Sequence, residues 1–144
     1  MSKIFINTDG GSRGNPGPAA IGVVFCGEKE SMIYSYKRCI GEATNNEAEY
    51  QAIIEALKIL AKSDWFKKFN NDNGEVVCRL DSQLVVEQVN GNYKIKQDHI
   101  KRFIEEIKSI IAEFNLKISF IHIRREENKL ADKLVNQALD EIKK

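Results

Sequence analysis

Hydrophobic and polar positions change their period several times along this chain, and each change marks an element. From Lys3 to Asp9 they alternate in a stretch rich in Ile and Phe, which predicts a strand. The run Gly10-Gly11-Ser12-Arg13-Gly14-Asn15-Pro16-Gly17-Pro18 then breaks regular structure. Ala20 to Cys26 and Met32 to Ile40 predict two more strands, joined by the polar turn Gly27 to Glu30. A link that short makes antiparallel neighbours, so the first third reads as a three-stranded meander.

Beyond it the period becomes helical. Thr44, Asn45 and Asn46 offer helix caps. Tyr50, Ile53, Leu57, Leu60 and Ala61 then recur at the spacing of an amphipathic helix over residues 46–62. Residues 63–74 (SDWFKKFNNDNG) read as a connecting loop. Glu75 to Leu80 reads as a buried strand, followed by a short helix from Ser82 with Leu84, Val85 and Val89 apolar. Phe103, Ile104, Ile107, Ile110 and Ile111 mark a helix over residues 98–114, and Leu116 to Ile123 a last strand. Leu130, Leu134, Ala138 and Ile142 mark a closing helix. The order is βββ-α-β-α-α-β-α. Later strands arrive through helical crossovers and pair in parallel, so the expectation is a mixed α/β fold. Its five-stranded sheet has three antiparallel N-terminal strands and two added in parallel, flanked by helices.

Composition narrows this only a little. A length of 144 residues suits one domain, expected to span 1–144 without repeats. Apolar residues at 42% and charged residues at 30% exclude a disordered chain. With a net charge of +1, the global field cannot hold a polyanion, so any nucleic-acid partner must be held by local clusters. Lys94, Lys96, Lys101 and Arg102 form at most a small patch, and solvated surface charge is an equal reading. Cys26, Cys39 and Cys78 contain no Cys-x-x-Cys pair, which argues against zinc or a disulfide framework. Buried free thiols in a reducing compartment are expected. MSKIFINTD has no signal-peptide pattern and no apolar run reaches membrane-spanning length, so a cytoplasmic, monomeric protein without membrane contact is expected.

The candidate chemistry lies in four acids at element ends. Asp9 closes the first strand, although Asp before Gly is also a common turn residue. Glu49 sits early in the first long helix, four before Ile53 and seven before Ala56. That puts its carboxylate beside the apolar face, though it also suits a helix N-terminus electrostatically. Asp81 ends the fourth strand, where ligands of parallel sheets gather, yet Asp also caps helices well. Asp132 lies in the first turns of the last helix, bordering its buried face, where a lone Asp is usually a solvated charge. Each acid alone has an ordinary explanation. Four carboxylates converging at one edge would repel one another unless cations lay between them, and Mg²⁺ favours carboxylates with water and substrate phosphate.

These residues also carry a family resemblance. Thr8-Asp9-Gly10-Gly11-Ser12-Arg13-Gly14-Asn15-Pro16-Gly17 resembles the opening signature of type 1 ribonucleases H. Thr44-Asn45-Asn46-Glu47-Ala48-Glu49 is similar to the segment carrying that family's catalytic Glu, which maps to Glu49 and not Glu47. Leu80-Asp81-Ser82-Gln83 and Glu127-Asn128-Lys129-Leu130-Ala131-Asp132 resemble the third and fourth motifs, all in family order. The resemblance implies a ribonuclease H-like fold and a nuclease acting on the RNA strand of RNA–DNA hybrids. It implies that Asp9, Glu49, Asp81 and Asp132 hold two Mg²⁺ or Mn²⁺ ions and that products end in 3′-hydroxyl and 5′-phosphate groups. By position, Gly10, Gly11 and Ser12 would bring backbone close to RNA. Asn15, Asn45, Asn46 and Gln83 would offer amides to 2′-hydroxyls and groove edges, and turn or cap roles for Asn15 and Asn45 stay open.

Two departures stand out. The long basic insertion of some bacterial members is absent, because Val89 to Lys96 is short. The loop before Asp132 lacks the glycine-flanked mobile His of many members and reads Ile121-His122-Ile123-Arg124-Arg125-Glu126-Glu127. His122 shares a strand face with Ile118 and Phe120, which suggests a packed ring. Arg125 is the stronger candidate for an electrostatic role in catalysis, since some members carry Arg here and a guanidinium stays charged. A surface ion pair with Glu126 or Glu127 is the alternative. Two competing functions remain: a non-catalytic binding domain on this fold, disfavoured by the full set of acids, and another nuclease of the superfamily, disfavoured by the Gly-Asn-Pro-Gly opening and by Asn45-Asn46.

Overall fold

A computed structural model of the protein describes residues 3–142. Its elements are β1 (Lys3–Ser12), β2 (Gly17–Cys26), β3 (Met32–Ala43), α1 (Asn45–Lys62), α2 (Asp64–Asn71), β4 (Glu75–Leu80), α3 (Gln83–Val89), α4 (Asp98–Glu113), β5 (Ile118–His122), a 3-10 turn (Arg125–Glu127) and α5 (Lys129–Ile142). The strands form one sheet in the order β3-β2-β1-β4-β5. Strands β1, β2 and β3 pair antiparallel, while β4 joins β1 and β5 joins β4 in parallel. This is the mixed five-stranded sheet that the period changes predict.

The two faces are covered unequally. Ile4, Ile6, Val23 and Phe25 of the sheet pack with Ile53 and Leu57 of α1, Val85 of α3, and Ile104 and Ile107 of α4. Each fully buried side chain of this kind stabilises the fold by about 1.5–3 kcal/mol. Tyr50 is buried among them; its hydroxyl donates to Gln88 Oε1 at 2.5 Å and its ring stacks on Phe103. Among the described residues, α5 alone covers the opposite face, through Ala131, Val135, Ala138 and Leu139.

Three expectations needed correction. The glycine run does not end regular structure at Asp9. Strand β1 continues to Ser12, and β2 begins at Gly17 rather than Ala20, because Gly10, Gly11 and Ser12 keep pairing with Ile21, Ala20 and Ala19. Residues 63–74 are not a loop throughout: α2 forms where Ser63 caps Phe66 and buries Phe66 and Phe69. Two aromatics three apart are enough to seat a two-turn helix. Finally, Cys26 and Cys78 are buried but Cys39 is exposed. It lies on β3, an edge strand, and its thiol donates to the Ala138 carbonyl of α5 at 3.1 Å.

Candidate active site

Sheet register brings the first two acids together. Strands β1 and β4 run parallel with Asn7 opposite Arg79, so two residues further on Asp9 lies beside Asp81. Asp9 sits inside β1, paired with Gly22, and is not a turn residue. Asp81 follows the last residue of β4. The cap of α3 is Ser82, whose hydroxyl accepts from Val85 N–H, so the Asp81 carboxylate is not spent on capping.

Glu49 arrives from α1. Thr44 and Glu47 close a reciprocal cap: Glu47 N–H donates to Thr44 Oγ1 at 3.1 Å, and Thr44 N–H to Glu47 Oε1 at 2.8 Å. Glu47 is thereby used at the helix start, and Glu49 is turned inward. Helix α1 lies so close to β1 that a Cβ on Gly10 would overlap the Ala48 carbonyl. The absence of a side chain at Gly10 therefore serves the packing of α1. The same approach lets Gly10 N–H donate to Glu49 Oε1 at 2.8 Å.

Carboxylate oxygens of Asp9, Glu49 and Asp81 lie within 4.8 Å of one another. Asp9 and Glu49 are 8% and 6% exposed. Burial, then the charges of Asp81 and Asp132 and a hydrogen bond with Asp132, push the Asp9 carboxyl from 3.8 up to about 8, against the Gly10 amide. Burial first, then the charges of Asp9 and Asp81, raises Glu49 well above the usual carboxylate range. Asp132 is exposed in the first turn of α5, where Ala131 and Val135 take the buried positions. It stands outside the trio, and its charge and hydrogen bond still act on Asp9. An all-oxygen, crowded and mostly dry donor set of this kind fits a hard divalent cation such as Mg²⁺.

The neighbouring polar residues form a lattice of their own. Asn15 Oδ1 accepts from Asn45 N–H at 2.9 Å, and Asn45 Oδ1 accepts from Ser12 N–H at 2.9 Å. The end of β1 is thus tied to the start of α1, which Thr44 caps. Asn15, Asn45 and Asn46 line a groove together with Gln97 and His99, two residues the sequence reading did not single out. Gly11 lies beside Val135, and Gln83 is exposed at the start of α3. Arg125 is exposed in the 3-10 turn and joins no ion pair with Glu126 or Glu127 among the described residues; Glu127 instead accepts from Arg124 N–H. His122 ends β5 opposite Leu80, but its ring is exposed and not packed, because β5 is an edge strand and stops there. A further residue missed in the sequence is Asn128, which is 1% exposed and donates to Asp81 Oδ2.

Comparisons with known proteins agree with this fold. A family model described as reverse transcriptase-like matches residues 7–138. The chain is 38% identical over 133 residues to the ribonuclease HI of Halobacterium salinarum, covering 92% of this chain and 62% of that protein. It is 36% identical over 139 residues to a bifunctional protein of Mycobacterium tuberculosis, covering 96% of this chain and 36% of that one. It therefore spans about a third of the mycobacterial relative and less than two thirds of the halobacterial one. Among solved structures, LC11-RNase H1, isolated from compost by a metagenomic approach, superposes with a TM-score of 0.89 at 44% identity, both chains covered in full. The same protein in complex with an RNA/DNA hybrid superposes with a TM-score of 0.87 at 43% identity, covering 98% of this chain and 99% of that one.

Proposed function

The chain belongs to the type 1 ribonuclease H family, and on that premise we propose that it is a metal-dependent endoribonuclease that hydrolyses the RNA strand of RNA–DNA hybrids. The observation that carries this reading is the cluster of Asp9 and Glu49, both buried, with the half-buried Asp81, where burial and then neighbouring carboxylates raise the Asp9 carboxyl to about 8, with Asp132 at its rim. The hybrid bound by LC11-RNase H1 supports the substrate class. The four acids would hold two ions, Mg²⁺ or Mn²⁺. When bound, such a pair supplies an activated water and charge stabilisation of the leaving oxygen, giving 3′-hydroxyl and 5′-phosphate ends.

The chain's own residues do the positioning. Burial of Asp9 and Glu49 keeps bulk water from the carboxylates. Asn15 and Asn45 spend their side-chain oxygens on the lattice, which leaves their NH₂ groups as donors. With Asn46 and Gln83, and the backbone of Gly10, Gly11 and Ser12, they would meet 2′-hydroxyls and sugar edges of the RNA strand. Arg125 would add fixed positive charge near the scissile phosphate or the departing product. We place the enzyme in the cytosol as a monomer; its three free cysteines support the reducing compartment.

Strand-labelled RNA–DNA, RNA–RNA and DNA–DNA duplexes of one sequence, incubated with the purified protein in Mg²⁺ and in EDTA, test the proposal. Cleavage confined to the RNA of the hybrid, and only with the metal, is expected. Equal cutting of the DNA duplex, or cutting in EDTA, would overturn it.

A further inference from the structure

We infer that Asn128 is the positioning residue of the acid cluster, holding β1, β4 and α5 at the separation a divalent ion requires; this rests on the metal-site reading above. Asn128 is 1% exposed, although Glu127 and Lys129 on either side are exposed. Its Nδ2 donates to the Thr8 carbonyl at 2.9 Å and to Asp81 Oδ2 at 3.1 Å. A primary amide has two N–H groups, and both are used. Both partners can only accept, so the nitrogen and not the oxygen must face them, and the amide plane is fixed.

The same residue starts the last helix. Asp132 N–H donates to the Asn128 carbonyl at 3.1 Å, the first bond of α5. One buried residue therefore touches the peptide leading into Asp9, the carboxylate of Asp81 and the backbone of Asp132. Asn128 Oδ1 has no hydrogen-bond partner among the described residues. A buried polar atom left so is unfavourable, and an apolar side chain would fill the space without that cost. What an apolar side chain lacks is the pair of donors. With Oδ2 held by the amide, the Asp81 carboxylate is oriented before an ion arrives. Removing an outer partner of this kind typically weakens metal binding about ten- to a hundredfold.

Calorimetric titration of the full chain with MnCl₂, without nucleic acid, tests this in the parent, in Asn128→Ser and Asn128→Ala, and in Val135→Ala as a control that loosens α5 elsewhere. Circular dichroism establishes that each is folded, and hybrid binding is measured in EDTA. We expect Mn²⁺ affinity to fall ten- to a hundredfold in both Asn128 variants, with hybrid binding unchanged, and to stay near the parent value in Val135→Ala. Parent-like affinity in folded Asn128 variants would overturn the inference alone. So would a loss no larger than that of Val135→Ala, or failure of both Asn128 variants to fold, since either assigns Asn128 a structural role. A parent that binds no Mn²⁺ would overturn the metal site itself, and this inference with it.

Discussion

Replacing Asp9 by Asn should stabilise the metal-free protein while destroying its activity. In the folded chain the Asp9 carboxyl keeps its proton up to about pH 8, whereas its ordinary value is 3.8. Between those values the unfolded chain releases a proton that the folded chain retains. The stability present below about pH 4 is therefore lost progressively as pH rises, and is gone above about pH 8. At 1.36 kcal/mol per pH unit this amounts to about 6 kcal/mol at most. Burial of the charge is the largest cause and repulsion by Asp81 and Asp132 the next, and a neutral amide that itself stays buried recovers only part of the total. We expect about 2–3 kcal/mol at pH 8, or roughly 5–10 °C in Tm for a domain of this size. The assay is thermal unfolding by circular dichroism in EDTA from pH 5 to 9. The parent's Tm should fall towards pH 8 and that of Asp9→Asn should fall less. Saturating Mg²⁺ should close the gap, with cleavage by the variant abolished. An Asp9→Asn protein less stable than the parent at pH 8 in EDTA would refute the reasoning, as would a parent Tm insensitive to pH between 5 and 8.

Three further outcomes follow from the same geometry. Gly10→Ala forces a methyl into the Ala48 carbonyl, and should cost about 1–3 kcal/mol in chemical denaturation together with activity, since Glu49 moves with α1. Arg125→Ala should lower turnover at unchanged Tm, while the exposed His122 should tolerate Ala in both respects; a larger rate loss in His122→Ala would reverse the assignment. A duplex with a single ribonucleotide among deoxyribonucleotides should be cut poorly relative to one with several in a row, because the contacts proposed for Gly11, Asn15, Asn46 and Gln83 would need consecutive sugars. Equal rates on gels would contradict that placement.

Sheet topology was readable because the chain changes period where it changes element. Alternation in β1 and the apolar spacing of α1 both follow directly from burial on one face. The continuation of β1 through Gly10 and Gly11 was not readable, since glycine ordinarily signals a break. What keeps the strand going is pairing with β2 and close packing of α1, both tertiary. Helix α2 was hidden in a polar run ending Asn-Asn-Asp-Asn-Gly, and only Phe66 and Phe69 hinted at it. Within the site, the acids could be picked out by type and position, but no local pattern shows that Asp9, Glu49 and Asp81 meet while Asp132 stays exposed at the rim. Parallel register and the bare Cα of Gly10 decide that. Asn128 carried one signal, an Asn just before an apolar-periodic helix, and that pattern reads as a cap. Its side chain faces the acids instead, a fact of packing and not of sequence.

The most direct test compares the parent with Glu49→Gln, whose amide oxygen can still accept from Gly10 N–H while one ligand charge is removed. Single-turnover cleavage of a uniform RNA–DNA hybrid in saturating Mg²⁺ is measured alongside circular dichroism. The carboxylate-cluster account predicts a loss of at least about a thousandfold in rate with the fold intact. Cleavage of the RNA strand by folded Glu49→Gln at near the parent rate would contradict it.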